Sequence, residues 1–213
     1  ANVIVAEVLA ELRRQVRPGM TTAELDRIAE EMTRQRGATP AFKGYAPAGG
    51  AFPSSVCTSI NDEVVHGIPS ERRVLREGDL IGLDFGVCYR GYFGDAAITV
   101  AVGHADGEAD RLMRVTSEAL WAGIEQVQVG RRLGDVSAAI QERVERNGFS
   151  VVRDFVGHGI GRRLHEEPQV PNFGKRDRGV RLRTGMVLAI EPMVNAGAAE
   201  IRVKEDGWTA VTM

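Results

Sequence analysis

Cysteine is scarce: the 213-residue chain has two, Cys57 and Cys88. Neither belongs to a CxxC pair, which argues against structural zinc and points to a reducing, cytoplasmic setting. Long apolar runs are missing as well. No stretch reaches the roughly 20 residues that a membrane span needs, and no amino-terminal segment reads as a secretion signal. Ala1 already lies in a helical pattern, so the amino end is expected to be trimmed. Charge of one sign is not in excess: the net charge of −2 makes no chain-wide case for nucleic acid. Arginines do cluster, at Arg72-Arg73, Arg131-Arg132, Arg162-Arg163 and along 176–183. Solvated loops are the simpler reading of these clusters, and a basic face towards RNA is the other.

What is present is an ordinary globular balance, 43% hydrophobic and 26% charged, in a length that can bury most of its apolar surface. Val5, Val8, Leu9 and Leu12 form one stripe of a helix over 3–16. Thr21 with Glu24 predicts a capping box for a second helix that runs to about Arg36 and stops at Gly37. A Gly-, Ala- and Pro-rich loop follows over 42–53. A short strand is expected over 55–60 and a polar loop with His66 over 61–69. Further helices are expected over 108–128 and 133–146. A strand over 151–156 should run into Gly157-His158-Gly159-Ile160-Gly161. Most of 168–183 reads as loop, 187–194 as an apolar strand holding Glu191, and 201–203 with 208–212 as a last hairpin.

The order helix, helix, strands occurs twice. Val16-x-x-Gly19-x-x-x-x-Glu24-Leu25 matches Val127-x-x-Gly130-x-x-x-x-Asp135-Val136. Leu75-Arg76-x-Gly78, followed by Asp84, matches Leu182-Arg183-x-Gly185, followed by Glu191. The reading is one α/β domain over 1–213 made of half-repeats at about 1–105 and 106–213. Asp84 and Glu191 are then equivalent positions near a pseudo-twofold axis.

Residues 80–100 hold two strand-like runs around Tyr89-Arg90-Gly91. Each run carries one aspartate, Asp84 or Asp95, where strands seldom keep a charge. Two carboxylates in one hairpin repel unless something neutralises them. A multivalent cation would do so; an exposed edge or pairing with arginines are the alternatives. Asp84, Asp95, Glu191 and a histidine, best His158 between two glycines, form a donor set without thiolate that suits Mn, Fe, Co or Zn. Three carboxylates beside a histidine suggest two metals, as in hydrolytic enzymes. A phosphate-binding glycine loop is the rival reading of 157–161, but its spacing differs from that of known phosphate loops. His66 and His165 are then left to act on substrate, and His104 reads as a surface turn residue.

Ser59-Ile60-Asn61-Asp62-Glu63-Val64-Val65-His66-Gly67-Ile68-Pro69, Gly157-His158-Gly159-Ile160-Gly161, His165-Glu166-Glu167-Pro168 and Ile190-Glu191-Pro192-Met193-Val194 together resemble the type I methionine aminopeptidases of bacterial kind. The resemblance covers almost the whole chain. It implies the pita-bread fold and removal of the initiator methionine from nascent proteins and peptides when the next residue is small. By resemblance, Asp84, Asp95, His158 and Glu191 ligate two divalent ions (Co, Mn, Fe or Zn), with Asp95 bridging. His66 contacts the scissile region and His165 the substrate carbonyl, while Glu191 also takes the proton of the attacking water. Tyr45, Phe52, Cys57, Leu164 and Trp208 are implied to line the methionine pocket, and the 46–51 segment is longer than in some members.

The family has a fifth ligand, a glutamate in a segment after the Trp-Thr stretch. The sequence stops at Met213, before that segment. A chain ending there is therefore expected to have little activity, and one extended through the missing strand to be active. The implied partner is a peptide or nascent-chain amino terminus, with the ribosome as a further candidate. No membrane and no specific nucleic acid are implied, and a monomer is expected. The alternatives are an inactive binding module on the same fold and a proline-specific aminopeptidase.

Overall fold

Val5, Val8, Leu9 and Leu12 are buried along one stripe of the first helix, α1 (Asn2–Gln15), as their spacing dictates. The chain is described here from a computed structural model, over residues 1–47 and 50–213. The expected loop over 42–53, and the 46–51 insertion within it, therefore lie in part outside the described residues. The second helix, α2 (Thr22–Gln35), starts in the capping box. The Thr21 hydroxyl accepts the Glu24 N–H at 3.2 Å, and the Glu24 carboxylate accepts the Thr21 N–H at 2.7 Å.

The described chain falls into two units. Unit 1 comprises Ala1–Gly107, Arg162–Leu164 and Arg202–Val211. Its main sheet has the order β1 (Thr39–Pro40), β4 (Leu80–Tyr89), β2 (Val56–Ile60), and β5 (Tyr92–Ala101) also pairs with β4. Strands β4 and β5 form one hairpin, from Leu80 opposite Ala101 to Tyr89 opposite Tyr92. Arg90 and Gly91 both take positive φ, +52° and +78°, the two-residue turn that matches the strand twist. Along β4, Ile81, Leu83, Phe85 and Val87 are fully buried in a core with Val5, Leu12 and Leu25. The alternate residues Gly82, Asp84, Gly86 and Cys88 therefore face the other side of the sheet. A smaller sheet orders β11 (Ile201–Val203), β12 (Ala210–Thr212) and β3 (Glu63–Val65). The polar loop expected over 61–69 thus contains a strand, and the last strand starts at Ala210 rather than Trp208.

Unit 2 comprises Glu108–Gly161, His165–Ile201 and Thr212–Met213. Helix α3 (Gly107–Ile124) ends short of the expected residue 128, and α4 (Leu133–Arg146) has the expected bounds. The two helices approach closely at Gly123, where a Cβ would lie 2.7 Å from Ile140 Cγ1. Strand β6 (Ser150–Val151) pairs with β10 (Val194–Asn195). Strand β7 (Gly157–Gly159) lies between β8 (Glu166–Val170) and β9 (Leu188–Ala189).

Three further expectations are corrected in unit 2. The strand over 151–156 is interrupted after Val151, because Arg153 and Asp154 are exposed. The strand over 187–194 splits into β9 and β10, and Glu191 lies between them; Pro192 has no N–H to give a ladder. Strand β8 occupies part of what read as loop. The Gly-His-Gly segment is a central strand and not a phosphate loop. Its glycines serve strand packing: a Cβ at Gly157 would lie 2.2 Å from the Ala189 carbonyl oxygen, and one at Gly159 2.3 Å from that of Glu167.

The turn before the second helix of each unit is built alike. In unit 1, Gly19 N–H bonds Leu75 O at 2.8 Å, Leu75 N–H bonds Met20 O at 2.8 Å, and Thr22 N–H bonds Arg73 O at 2.9 Å. In unit 2, Gly130 N–H bonds Leu182 O at 3.1 Å, Leu182 N–H bonds Arg131 O at 2.8 Å, and Leu133 N–H bonds Val180 O at 2.9 Å. Gly19 and Gly130 have φ of +85° and +92°, which side chains rarely adopt.

Candidate active site

In unit 1 the hairpin register places the two aspartates. Asp84 stands opposite Ala97, and Asp95 opposite Gly86. Asp84 and Asp95 are therefore diagonal neighbours on one face, the face turned away from the core. Both are half-buried. Gly86 puts no side chain against Asp95. On the other flank of β4, Cys57 stands opposite Asp84. Burial pushes the Cys57 thiol well above its usual pKa, and the nearby Asp84, Asp95 and Asp26 carboxylates push it further. Cys57 is thus a neutral thiol beside a cluster of anionic oxygens. Asp26 anchors the start of that strand by accepting the Ser55 N–H at 2.7 Å and the Val56 N–H at 3.1 Å. Its own carboxyl is raised, chiefly by burial.

The other unit 1 candidates form an aromatic group. The Phe52 and Trp208 rings meet edge to face with centroids 5.2 Å apart, and the His66 ring stands 6.2 Å from that of Trp208. Phe52, Cys57 and Leu164 are buried; Tyr45 is half-buried, and burial raises its hydroxyl pKa. Trp208 is fixed by an Asp206 turn, in which one carboxylate oxygen accepts the Trp208 N–H at 2.9 Å and the Thr209 N–H at 2.8 Å. The Thr209 hydroxyl donates to the other Asp206 carboxylate oxygen at 2.7 Å and lies 3.5 Å from the His66 carbonyl oxygen, and His66 has a positive φ of +60°.

One group in this region escaped the sequence reading. The Glu63 side chain is only 8% exposed and pairs with both Arg73 and Lys204, the latter at 2.7 Å. It also accepts the Ile60 N–H at 2.9 Å. Arg73 in turn bonds the Thr58 and Ile68 carbonyls at 3.0 and 2.7 Å. This network clamps both ends of the segment that carries His66. The signal was a glutamate three residues before a histidine, at the head of the otherwise apolar Val64-Val65-His66-Gly67-Ile68 run.

In unit 2, His158 is buried on β7. Its Nδ1 lies 2.8 Å from the Gly159 carbonyl oxygen. A carbonyl can only accept, so Nδ1 carries a proton, and in the neutral ring Nε2 presents a lone pair. That Nε2 faces Glu191 Oε1 at 3.3 Å. A lone pair facing a carboxylate is repulsive unless a proton or a cation comes between them. Asn172, fully buried, donates to the Glu191 backbone carbonyl at 2.7 Å and fixes the segment between β9 and β10. The His165 ring packs against that of His158 with centroids 4.2 Å apart. His104 is fully exposed, as expected, with its ring 3.5 Å from Glu77.

Carboxylate pairs and an Nε2-presenting imidazole, with no thiolate among the donors, fit a divalent metal ion of the Mn, Fe, Co or Zn type. The fold defines a class, that of metal-dependent hydrolases. The chain belongs to metallopeptidase family M24, whose model matches residues 1–212. It is 53% identical over 212 residues to the methionine aminopeptidase of Clostridium perfringens, covering 100% of this chain and 83% of that protein. It is 44% identical over 213 residues to that of Escherichia coli, covering 100% and 79%. The crystal structure of the Thermotoga maritima methionine aminopeptidase superposes with a TM-score of 0.95 at 49% identity, covering 98% of this chain and 82% of that one. The fold is the pita-bread α/β fold these proteins share. Among the described residues, no helix is long and apolar enough to cross a membrane.

Proposed function

We propose that this protein removes the initiator methionine from the amino terminus of nascent proteins and peptides, with a preference for a small second residue. The observation that carries this reading is the near-complete likeness, in sequence and fold, to the Thermotoga maritima methionine aminopeptidase. Asp84, Asp95, His158 and Glu191 are the residues that would hold two divalent ions. When bound, such ions acidify a water molecule and polarise the scissile carbonyl.

The remaining work falls to the chain's own groups. The Glu191 carboxylate takes the proton from the attacking water. A ring N–H of His165 donates to the carbonyl oxygen as negative charge develops there. His66 contacts the scissile region, held by the Glu63 network. Tyr45, Phe52, Cys57, Leu164 and Trp208 line the methionine pocket. A thiol kept neutral at Cys57 behaves there as a small apolar group, suited to an uncharged thioether. The protein works in the cytoplasm as a monomer, on free peptides or on chains at the ribosome.

Mass spectrometry of a Met-Ala-Ser peptide incubated with the full-length protein and added Mn, Fe or Co tests this. Metal-dependent release of methionine is expected. Cleavage of X-Pro peptides in place of Met-Ala-Ser, or no cleavage with any metal, contradicts it.

A further inference from the structure

Glu63 carries a cost that the strand it sits on does not explain. Its side chain is only 8% exposed, and taking a carboxylate out of water is expensive unless it is paired and hydrogen-bonded. Strand β3 is already held without it: Ala210 and Val211 of β12 stand opposite Val65 and Glu63, with a bulge between the two pairs. A neutral or apolar side chain of similar size would keep that ladder at less cost. What the carboxylate adds is its partners. One oxygen takes Lys204 at 2.7 Å. The other takes Arg73 and the Ile60 N–H, the latter at 2.9 Å.

The two oxygens lead to two different places. Through Arg73 the carboxylate reaches both flanks of His66. The other terminal nitrogen of that guanidinium donates to the Thr58 and Ile68 carbonyls, at 3.0 and 2.7 Å. The chain just after His66 is pressed against β2. Thr58 N–H bonds Gly67 O at 2.8 Å, Gly67 N–H bonds Ser59 Oγ at 3.2 Å, and a Cβ at Gly67 would lie 2.2 Å from Thr58 O. Between these fixed points His66 holds its φ of +60°, which a residue with a side chain keeps only where its surroundings over-determine it. Through Lys204 the carboxylate reaches the turn that presents Trp208. Lys204 opens that turn: its N–H bonds Thr209 O at 2.8 Å, and its carbonyl accepts the Gly207 N–H at 3.0 Å. The two arms meet again where the His66 ring stands 6.2 Å from that of Trp208.

We propose that Glu63 is a positioning residue with two separable outputs: through Arg73 it sets where the His66 ring stands, and through Lys204 it sets the Trp208 wall of the methionine pocket. The inference rests on the proposed function, which puts His66 at the scissile region and Trp208 in the pocket. All of these residues lie in unit 1. Both Glu63 oxygens are engaged by Lys204, Arg73 and Ile60, so Glu63 acts through these neighbours and not on the substrate itself. One buried charge thus keys recognition of the methionine side chain to the group at the reacting bond.

The test combines the kinetics of Met-Ala-Ser cleavage by the full-length protein, with added Mn, Fe or Co, and acrylamide quenching of Trp208 fluorescence. Trp121→Phe, at an exposed site on α3, removes the other tryptophan of the sequence for the quenching series. K204M frees the turn and should raise KM about fivefold with kcat within about twofold, the signature of lost ground-state binding. R73K keeps the charge but gives up the forked contact with Thr58 and Ile68, and should lower kcat about tenfold with KM little changed. E63Q keeps an acceptor for the Ile60 N–H, loses both ion pairs and should show both effects. K204R restores the pair and should restore KM. Should R73K fail to fold, the comparison of E63Q with K204M reads the same kcat effect. Quenching of Trp208 should rise in K204M and E63Q. It should stay at the wild-type value in R73K and in E7Q, which breaks the surface Glu7–Arg36 pair of the same unit. Losses of activity that only follow melting temperature, with KM unchanged in K204M and E63Q, would overturn the inference, and so would unchanged Trp208 quenching in those two variants. The quenching result stands whether or not the wild type releases methionine, so failure here and failure of the proposed activity are told apart.

Discussion

Unit 1 and unit 2 close the same turn with the same three backbone bonds and diverge in what they hang on it. Unit 1 continues from Gly78 into a ten-residue strand, β4, with a full return strand, β5. Unit 2 continues from Gly185 into the two-residue strand β9. The shared parts are glycines at positive φ, buried leucines and a carboxylate at the third helical position. The divergent parts are the ones that bear chemistry: two aspartates on a hairpin face in unit 1, and a buried histidine facing a glutamate in unit 2. A scaffold specified by backbone geometry leaves its side chains free to specialise. Asp84 and Glu191 stand at matching places after matching Leu-Arg-x-Gly turns.

The comparison can be broken or sharpened in several ways. The largest effect should come from chelation. EDTA treatment is expected to abolish methionine release, on the order of 10³-fold or more, or about 4 kcal/mol of barrier at 1.36 kcal/mol per decade. Mn, Fe or Co should restore it, and full activity after exhaustive chelation would remove the metal from the account. Next come the cores. Leu25 and Val136 are fully buried at matching helix positions. Leu25→Ala should cost about 2–5 kcal/mol by urea denaturation and Val136→Ala less, in line with the volume each deletes.

Glycines of the two kinds should then separate. At Gly157 an added methyl would meet backbone, and Gly157→Ala should cost about 1–3 kcal/mol through overpacking. Gly185 has φ of +91° and open space around it, so Gly185→Ala should cost only the conformational strain, about 1 kcal/mol. Equal costs would mean that the strands around β7 can yield.

The smallest effects lie at the caps. Thr21 offers an oxygen to its helix, whereas Arg132 at the matching place has no acceptor to offer. Thr21→Ala should cost about 1 kcal/mol, and Arg132→Ala less. Glu24 and Asp135 fill the same box position, and both carboxyls are held below the usual range. The Thr21 N–H is the main cause for Glu24, and the Arg132 N–H followed by the Asp177 N–H for Asp135. A depressed folded pKa gives stability that is complete above the unfolded value near ~4 and is lost as pH falls through the folded value. Urea midpoints followed from pH 6 down to pH 2 should therefore decline, and Asp135→Asn should flatten the decline.

Most of the helical framework was legible in the sequence because its signals are local. A cap, a stripe and a stop glycine define α2, and α4 has the expected bounds. The strands of unit 2 were less legible. Val187, Leu188 and Val194 look like one apolar strand, but Pro192 breaks the ladder. The Gly-His-Gly segment gives no sign that its glycines admit neighbouring strands. In unit 1 the carboxylates could be read because a charge in an apolar hairpin is conspicuous, and the register then decides which face each occupies. The Glu63 network could not, since Lys204 lies more than a hundred residues away and nothing local announces that pairing.

The central claim is the proposal that Asp84 and Glu191, at matching positions of the sequence repeat, both serve metal-dependent methionine release. The measurement that tests it most directly is metal content by mass spectrometry, taken alongside Met-Ala-Ser cleavage, for D84N and E191Q in the full-length protein. Loss of bound metal and of methionine release in both variants, with unchanged melting temperature, is the predicted result. Wild-type release by either variant would contradict the claim.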